Sequence, residues 1–228
     1  MSLYAIGDLH LSFGTNKPMD IFFGWEGYVE RLEENWHKAV SHEDTVVIVG
    51  DISWAMKMQE AKTDFDFINK LPGKKIILKG NHDYWWDTKA KMDRFLAENS
   101  FTSISILHNN AFACDKYAIC GTRGWISDNS EPADQKVLLR EAGRLDTSLK
   151  AGLKLGLEPI VFLHYPPIYG NDENLEILEV LHRHKVNRCY YGHIHGLGHK
   201  RAINGVRDGI DYRLVACDFI DYTPINIS

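Results

Sequence analysis

Residues 74–86 read KKIILKGNHDYWW. KKIILK is a short apolar run of the kind that forms a buried strand. Gly80, Asn81, His82 and Asp83 follow with no spacer, and Tyr84, Trp85 and Trp86 come behind. A surface turn could use Gly-Asn, but it has no need of an imidazole, a carboxylate and two indoles. In open α/β sheets, ligands bind at the carboxyl ends of the strands. A strand that ends in an amide, an imidazole and a carboxylate points to that class.

The same design recurs outward from this stretch. LYAIG (3–7) is followed by Asp8-Leu9-His10, and TVVIVG (45–50) by Asp51. PIVFLH (159–164) ends in His164, and VNRCYYG (186–192) is followed by His193-Ile194-His195. YAICG (117–121) is a sixth strand-like run. Amphipathic stretches at 26–40, 57–70, 87–98, 132–154 and 172–184 predict helices between them. In the longest, Leu138, Ala142, Leu145, Leu149 and Leu153 recur at helical spacing and predict a core face, with Pro132 as a first-turn proline. Residues 196–220 are β-rich, with Asn204-Gly205 as a hairpin turn signal. No linker, repeat or low-complexity tract interrupts the chain, so one domain over 1–228 is expected, with sheet layers inside and helices outside.

Composition narrows the function. The chain has 228 residues, ordinary apolar content and a net charge of −5. No basic stripe is present, which disfavours a partner such as long nucleic acid but not a small phosphate-ester substrate. Cys114, Cys120, Cys189 and Cys217 include no C-x-x-C pair, so reduced, buried thiols and a cytoplasmic location are expected. No leader-like segment or stretch of about 20 apolar residues predicts a membrane partner.

The residues behind the strands make chemical sense together. Asp, His and Asn suit borderline first-row metals, whereas calcium or magnesium would be held by oxygen almost alone. Asp8, His10, Asp51, Asn81, His164, His193 and His195 are too many for one tetrahedral zinc. They fit two metals sharing one carboxylate. Two such cations about 3.5–4 Å apart can clamp a phosphoryl group and generate a hydroxide nucleophile. With both metals divalent, Asp8, Asp51 and a bridging hydroxide leave the site positive, ready for a phosphate anion. Asn81 coordinates without cancelling charge. In an extended Asp-x-His or His-x-His segment, residues i and i+2 share a side.

In this order, Asp8-x-His10, Gly50-Asp51, Gly80-Asn81-His82-Asp83, His164 and Gly192-His193-x-His195 resemble the calcineurin-like metallophosphoesterases. The resemblance spans residues 8–195 and implies a four-layer α/β/β/α sandwich. It implies that Asp8, His10, Asp51 and His195 hold one metal and that Asp51, Asn81, His164 and His193 hold the other. Manganese, iron or zinc would serve, with manganese favoured. His82 matches the family's non-ligand histidine, which contacts the phosphate and protonates the leaving group. The implied enzyme is a binuclear phosphohydrolase cleaving a phosphomonoester or phosphodiester by attack of the bridging hydroxide. A non-catalytic scaffold of the same fold, such as the retromer subunit, and a nuclease of the same family are the alternatives.

The chain departs from the serine/threonine protein phosphatases of that family. In GDISWAM (50–56), Trp54 and Ala55 stand where those enzymes carry an aspartate and a phosphate-binding arginine. Arg123 in CGTRGW (120–125) is a candidate replacement, placing Asn81, His82 and Arg123 on the substrate. Asp83 is expected to orient a histidine, cap the next helix or make structural hydrogen bonds. Gly80 is expected to let the chain turn sharply. Trp54, Trp85, Trp86 and Trp125 fit either a stacking wall or packing, and Tyr165-Pro166-Pro167 a stiff exit from His164. Of His37, His42, His108, His182, His184 and His199, only His199 stands near enough in sequence to support a ligand.

Overall fold

The run Thr45–Ile48 is buried along its whole length, and its side chains go to two different cores. Val46 and Ile48 pack with helices, whereas Val47 and the following Val49 pack with residues of a second sheet. Alternate residues of a strand face opposite sides, so this sheet is covered on both faces. A near-continuous β-branched run is what such a position selects.

The computed structural model describes residues 1–125 and 135–228. Pro132 therefore lies outside the described residues. Strands β1 (Leu3–Ile6), β2 (Thr45–Ile48), β3 (Lys74–Ile77) and β4 (Ile104–Ile106) run parallel in the first sheet. Helices α1 (Tyr28–Ala39), α2 (Lys62–Lys70) and α3 (Lys89–Glu98) connect them. They cover the outer face with Leu32, Trp36, Phe65, Ile68, Met92 and Phe95. The second sheet is built from β5 (Phe112–Cys114), β6 (Tyr117–Thr122), β7 (Glu158–Leu163), β10 (Arg188–Tyr191), β11 (Gly205–Arg207) and β12 (Ile210–Leu214). Within it, β6, β7, β10 and β12 are parallel, and β5 and β11 pair antiparallel at the edges. A small hairpin of β8 (Ile168–Tyr169) and β9 (Asp172–Glu173) lies between β7 and helix α5 (Leu175–Arg183). Helix α4 (Gln135–Leu153) and α5 cover this sheet. The last strand, β13 (Ile225–Asn226), returns antiparallel to β1.

A core of Leu3, Ala5, Val47, Ile76, Ile119, Ile160, Phe162 and Tyr190 fills the space between the sheets. The layers are therefore α/β/β/α, as the family resemblance implied. At the carboxyl ends the two sheets are stitched together. Gly7 pairs with Ala216, the Gly7 N–H donates to the Val215 carbonyl at 2.7 Å, and the Cys217 N–H donates to the Gly7 carbonyl at 3.1 Å. The ligand-bearing loops of both sheets leave from this seam.

Two local expectations are corrected. Leu153 is 52% exposed while Leu138, Ala142, Leu145 and Leu149 are buried, because the last turn of α4 sets Gly152, and not Leu153, against Ala118 and Cys120 of β6. The hairpin turn falls at Asp208-Gly209, between β11 and β12, and not at Asn204-Gly205. Asp208 (φ 51°) and Gly209 (φ 81°) both adopt the left-handed backbone that a two-residue hairpin turn requires. Asn204 instead accepts the Leu214 N–H at 2.9 Å. The four cysteines are free and buried. Among the described residues, no helix is long and apolar enough to cross a membrane.

Candidate metal centre

The strands deliver their polar residues through unusual backbone. Asp8 (φ 59°), His10 (φ 45°), Asp51 (φ 48°) and His193 (φ 74°) all sit in the left-handed region. For a non-glycine residue this costs on the order of 1 kcal/mol or more, and it persists only where the surroundings enforce it. Here the loops enforce one another. The Asp8 N–H donates to the Gly50 carbonyl, and the His10 N–H to the Asp51 carbonyl, both at 2.9 Å. The extended geometry expected of Asp8-x-His10 is therefore replaced by two left-handed residues. Gly80 also acts differently from expectation. It does not take a positive φ; a Cβ there would overlap the Asp51 carboxylate and backbone nitrogen. The glycine makes room for a carboxylate, as Gly192 does for Asp8.

Two donor groups result: Asp8, His10 and His195, and Asp51, His164 and His193, each with ligand atoms within 4.8 Å of one another. Each group draws on both sheets. His10 Nε2 is 3.4 Å from His195 Nε2 and 3.8 Å from Asp51 Oδ2. Asp51 Oδ2 is also 3.5 Å from His164 Nε2, so this one oxygen faces both groups. Its other oxygen accepts the His82 N–H at 2.8 Å. Asn81 Oδ1 lies 2.6 Å from His164 Nε2 and 2.9 Å from His193 Nδ1. The seven residues singled out from the sequence therefore converge.

The electrostatics ask for a cation. Burial lowers the His10 imidazole well below its ordinary pKa and pushes those of His164 and His193 down to about 3, so these rings are neutral. His164 Nδ1 lies 3.0 Å from the Val49 carbonyl. The neutral ring donates its proton there, which leaves Nε2 with a lone pair aimed at Asn81 Oδ1 and Asp51 Oδ2. Burial, then the nearby Asp83 and Asp8 carboxylates, pushes Asp51 well above the usual carboxylate range. Lone pairs face lone pairs at separations that two ligands of one metal, each about 2.1 Å away, would adopt. The donor set fits a pair of transition metals with Asp51 between them.

His195 is held by a residue that the sequence reading did not single out. Asp218 Oδ1 accepts from His195 Nδ1 at 2.8 Å, and Oδ2 accepts the Gly196 N–H at 3.0 Å. This fixes Nε2 toward Asp8 Oδ1, 3.6 Å away. Carboxylates behind metal-binding histidines orient the ring in this way. Burial opposes charge on His195, but Asp218 and Asp8 outweigh it and push the ring up to about 10. His199 reaches Asp218, at 3.3 Å, and not a ligand. A signal existed: Val215-Ala216-Cys217-Asp218 is another acid directly behind an apolar strand.

His82 sits beside the donor groups. Its ring lies 4.4 Å from Trp54 and 5.7 Å from His10, between centroids, and its buried Nδ1 has no hydrogen-bond partner among the described residues. Burial lowers its pKa, against the pull of Asp8. Asp83 neither orients a histidine nor caps α3, which begins at Lys89. Its buried carboxylate accepts from Ile52 N at 2.9 Å, Gly80 N at 2.7 Å and Trp85 Nε1 at 3.1 Å, tying the loop after β2 to the loop after β3. Arg123 is placed apart from the donor atoms. Its guanidinium is 3.7 Å from buried Glu141 and 5.0 Å from the Trp125 ring. It lines a basic cleft of about 330 Å³ with Lys79, His108 and Arg144. Its backbone carbonyl does reach the site, accepting the His164 and Tyr165 N–H groups. Of the tryptophans, Trp54 stacks on His10 at 4.9 Å, and Trp85 packs in the core against Phe65. Trp86 leans on Trp85, and Trp125 on Tyr165. A further tryptophan, Trp25, meets His10 and His195 edge-on.

A family model described as calcineurin-like phosphoesterase matches residues 1–197. No curated protein sequence matches this chain. Among solved structures, TT1561 of Thermus thermophilus is similar with a TM-score of 0.57 and 13% identity, over 99% of this chain and 97% of that one. AQ665 from Aquifex aeolicus, described as of unknown function, has a TM-score of 0.53 and 16% identity, over 99% and 95%. The phosphopantetheinyl hydrolase PptH from Mycobacterium tuberculosis has a TM-score of 0.53 and 12% identity, over 98% and 95%. At these identities the likeness is one of fold.

Proposed function

This chain belongs to the calcineurin-like phosphoesterase family, and from that premise we propose that it is a binuclear metallohydrolase acting on a small phosphomonoester or phosphodiester. The observation that carries the reading is the convergence of the neutral imidazoles of His10, His164 and His193, the His195 ring, an amide oxygen and two carboxylates, with Asp51 Oδ2 facing both groups. Asp8, His10, Asp51 and His195 would hold one ion, and Asp51, Asn81, His164 and His193 the other. Manganese is the favoured metal, with iron or zinc also matching the ligands. The bound pair would supply positive charge at the phosphoryl oxygens and make water a competent nucleophile near neutral pH.

The protein's own residues do the rest. Asn81 and His82 face the phosphoryl group. As a water oxygen bonds to phosphorus and the ester P–O bond breaks, protonated His82 would give a proton to the leaving oxygen, and the proton lost by the water, passed through solvent, would restore the ring. Trp54 holds the His82 ring through a tilted contact at 4.4 Å between centroids, where a carboxylate partner would otherwise do so. Asp83 fixes the loops from which Asp51 and His82 project, and Asp218 fixes His195. Four buried, unpaired thiols support a cytoplasmic setting.

The test uses metal-stripped protein reconstituted with Mn²⁺, assayed on p-nitrophenyl phosphate and bis-p-nitrophenyl phosphate. Turnover should require metal, disappear in Asp51→Asn and fall by about 10²–10⁴-fold in His82→Ala. The preferred ester assigns mono- or diesterase. Folded protein that binds two ions and turns over neither ester with any metal would overturn the hydrolase reading.

A further inference from the structure

We propose that the ester cleaved at this centre carries an uncharged, apolar alcohol, seated in the cavity that opens beside His82. For what it says of a substrate, this inference rests on the hydrolase reading above. The cavity has a volume of about 700 Å³, and His10, His82 and His195 are part of its wall. A group bound there is therefore contiguous with the phosphoryl position and next to the residue that faces the leaving oxygen.

Apart from Gly196 and Asp218, the rest of the wall is aliphatic and aromatic. Met19, Phe22, Trp25 and Trp54 line it, with Phe23 and Leu197 at the rim. Among the described residues, no lysine or arginine lines it, and Asp218 already has both oxygens engaged. A nucleobase would leave ring donors and acceptors against hydrocarbon, which is costly. Lys79, Arg123 and Arg144 lie in a separate cleft, and Lys17 borders this cavity from outside its wall, with Nζ 5.4 Å over the Trp54 ring.

Packing does not explain this display. Phe22 is 52% exposed, Phe23 100% and Leu197 85%. The segment that carries the two phenylalanines is held firmly. Its Gly24 carbonyl accepts from Arg31 at 2.7 Å and from the Tyr222 hydroxyl at 2.9 Å, and Asp20 accepts the Gly27 N–H at 2.9 Å. Contiguous exposed apolar surface at the mouth of a polar centre marks a ligand site.

The experiment separates this inference from the hydrolase reading by measuring binding and turnover in parallel. Methyl-, butyl- and octylphosphonate are titrated into the Mn²⁺-loaded full chain, read by tryptophan fluorescence, and the matching alkyl phosphates are assayed for phosphate release. Affinity should rise about two- to fourfold per added methylene until the cavity is filled. In the double variant Phe22→Ser, Phe23→Ser, the octyl-to-methyl affinity ratio should collapse. Equal affinity for the three phosphonates in the natural chain overturns the inference, whether or not the esters are cleaved. Affinity that climbs with chain length while no alkyl phosphate is hydrolysed upholds the apolar site and overturns the hydrolase reading. A rising series that the double variant leaves intact overturns the assignment to this cavity.

Discussion

Replacing Asp218 by asparagine isolates one carboxylate from the rest of the centre. In the natural protein, Asp218 Oδ1 accepts from His195 Nδ1 and Oδ2 from Gly196 N. An asparagine has one acceptor oxygen, so one of these donors loses its partner, and the negative charge behind the ring is gone. Loss of such a support weakens metal binding by about 10–100-fold, or about 1.4–2.7 kcal/mol. A proton competes for the same Nε2. Asp218 and Asp8 hold His195 at about 10, so without metal the ring is charged throughout the neutral range, and metal uptake must expel that proton. A raised imidazole pKa means that the competing proton is fully present well below 10. Metal affinity should therefore climb about tenfold per pH unit from 6.5 to 8. Asp218→Asn lowers that pKa, so its affinity should climb less steeply, and its deficit should be larger at pH 8 than at pH 6.5. Calorimetric Mn²⁺ titrations in buffers of different ionisation enthalpy measure both affinity and protons released. Equal affinity and equal proton release in the two proteins would refute the role given to Asp218.

Two further outcomes concern stability. Glu141 is fully buried and pairs with Arg144 at 2.7 Å and the Thr122 hydroxyl at 2.8 Å, beside Arg123 at 3.7 Å. Glu141→Ala removes the acceptor of the partly exposed Arg144 and of the Thr122 hydroxyl, so urea denaturation should show a loss of about 2 kcal/mol; a loss under about 1 kcal/mol would contradict this. Lys75 is buried in β3 and donates to the Leu71 and Gly73 carbonyls at 2.6 and 2.8 Å, just past the end of α2. Burial pulls its ammonium down to about 8. The folded pKa lies below the unfolded one, so the cost of charge is present below pH 8 and is relieved as pH rises toward 10.5. Compared with Lys75→Met, the natural protein should gain about 2 kcal/mol between pH 7 and 9.5. A difference that stays constant over that window would show that the ammonium carries no such cost.

The strand-then-ligand pattern made most of the site readable. The ligands stand directly behind apolar runs, and a parallel sheet gathers its carboxyl ends at one edge. Asp218 obeys the same rule but was hidden, because residues 196–220 read as a hairpin segment and β12 is in fact a parallel strand beside β10. Strands β4 and β5, of three residues each, are too short to show a period. The left-handed conformations of Asp8, His10, Asp51 and His193 carry no compositional sign, since glycine or asparagine would be the ordinary choice there. They arise from loop-to-loop hydrogen bonds that only the assembled sheets supply. The role of Gly80 was likewise invisible, because the group it clears space for is Asp51, on a neighbouring strand.

The seam between the two sheets also sets an order of events. Each donor group takes residues from both halves of the chain: Asp8 and His10 need His195, and Asp51 needs His164 and His193. During synthesis, Asn81 leaves the ribosome 112 residues ahead of His193, a delay of about 6–22 s at ordinary elongation rates. Throughout that interval the nascent chain presents amide and carboxylate groups with no complete coordination shell. Metal capture at the proposed centre would thus be a late step of biogenesis, one that reports that the second sheet has docked on the first.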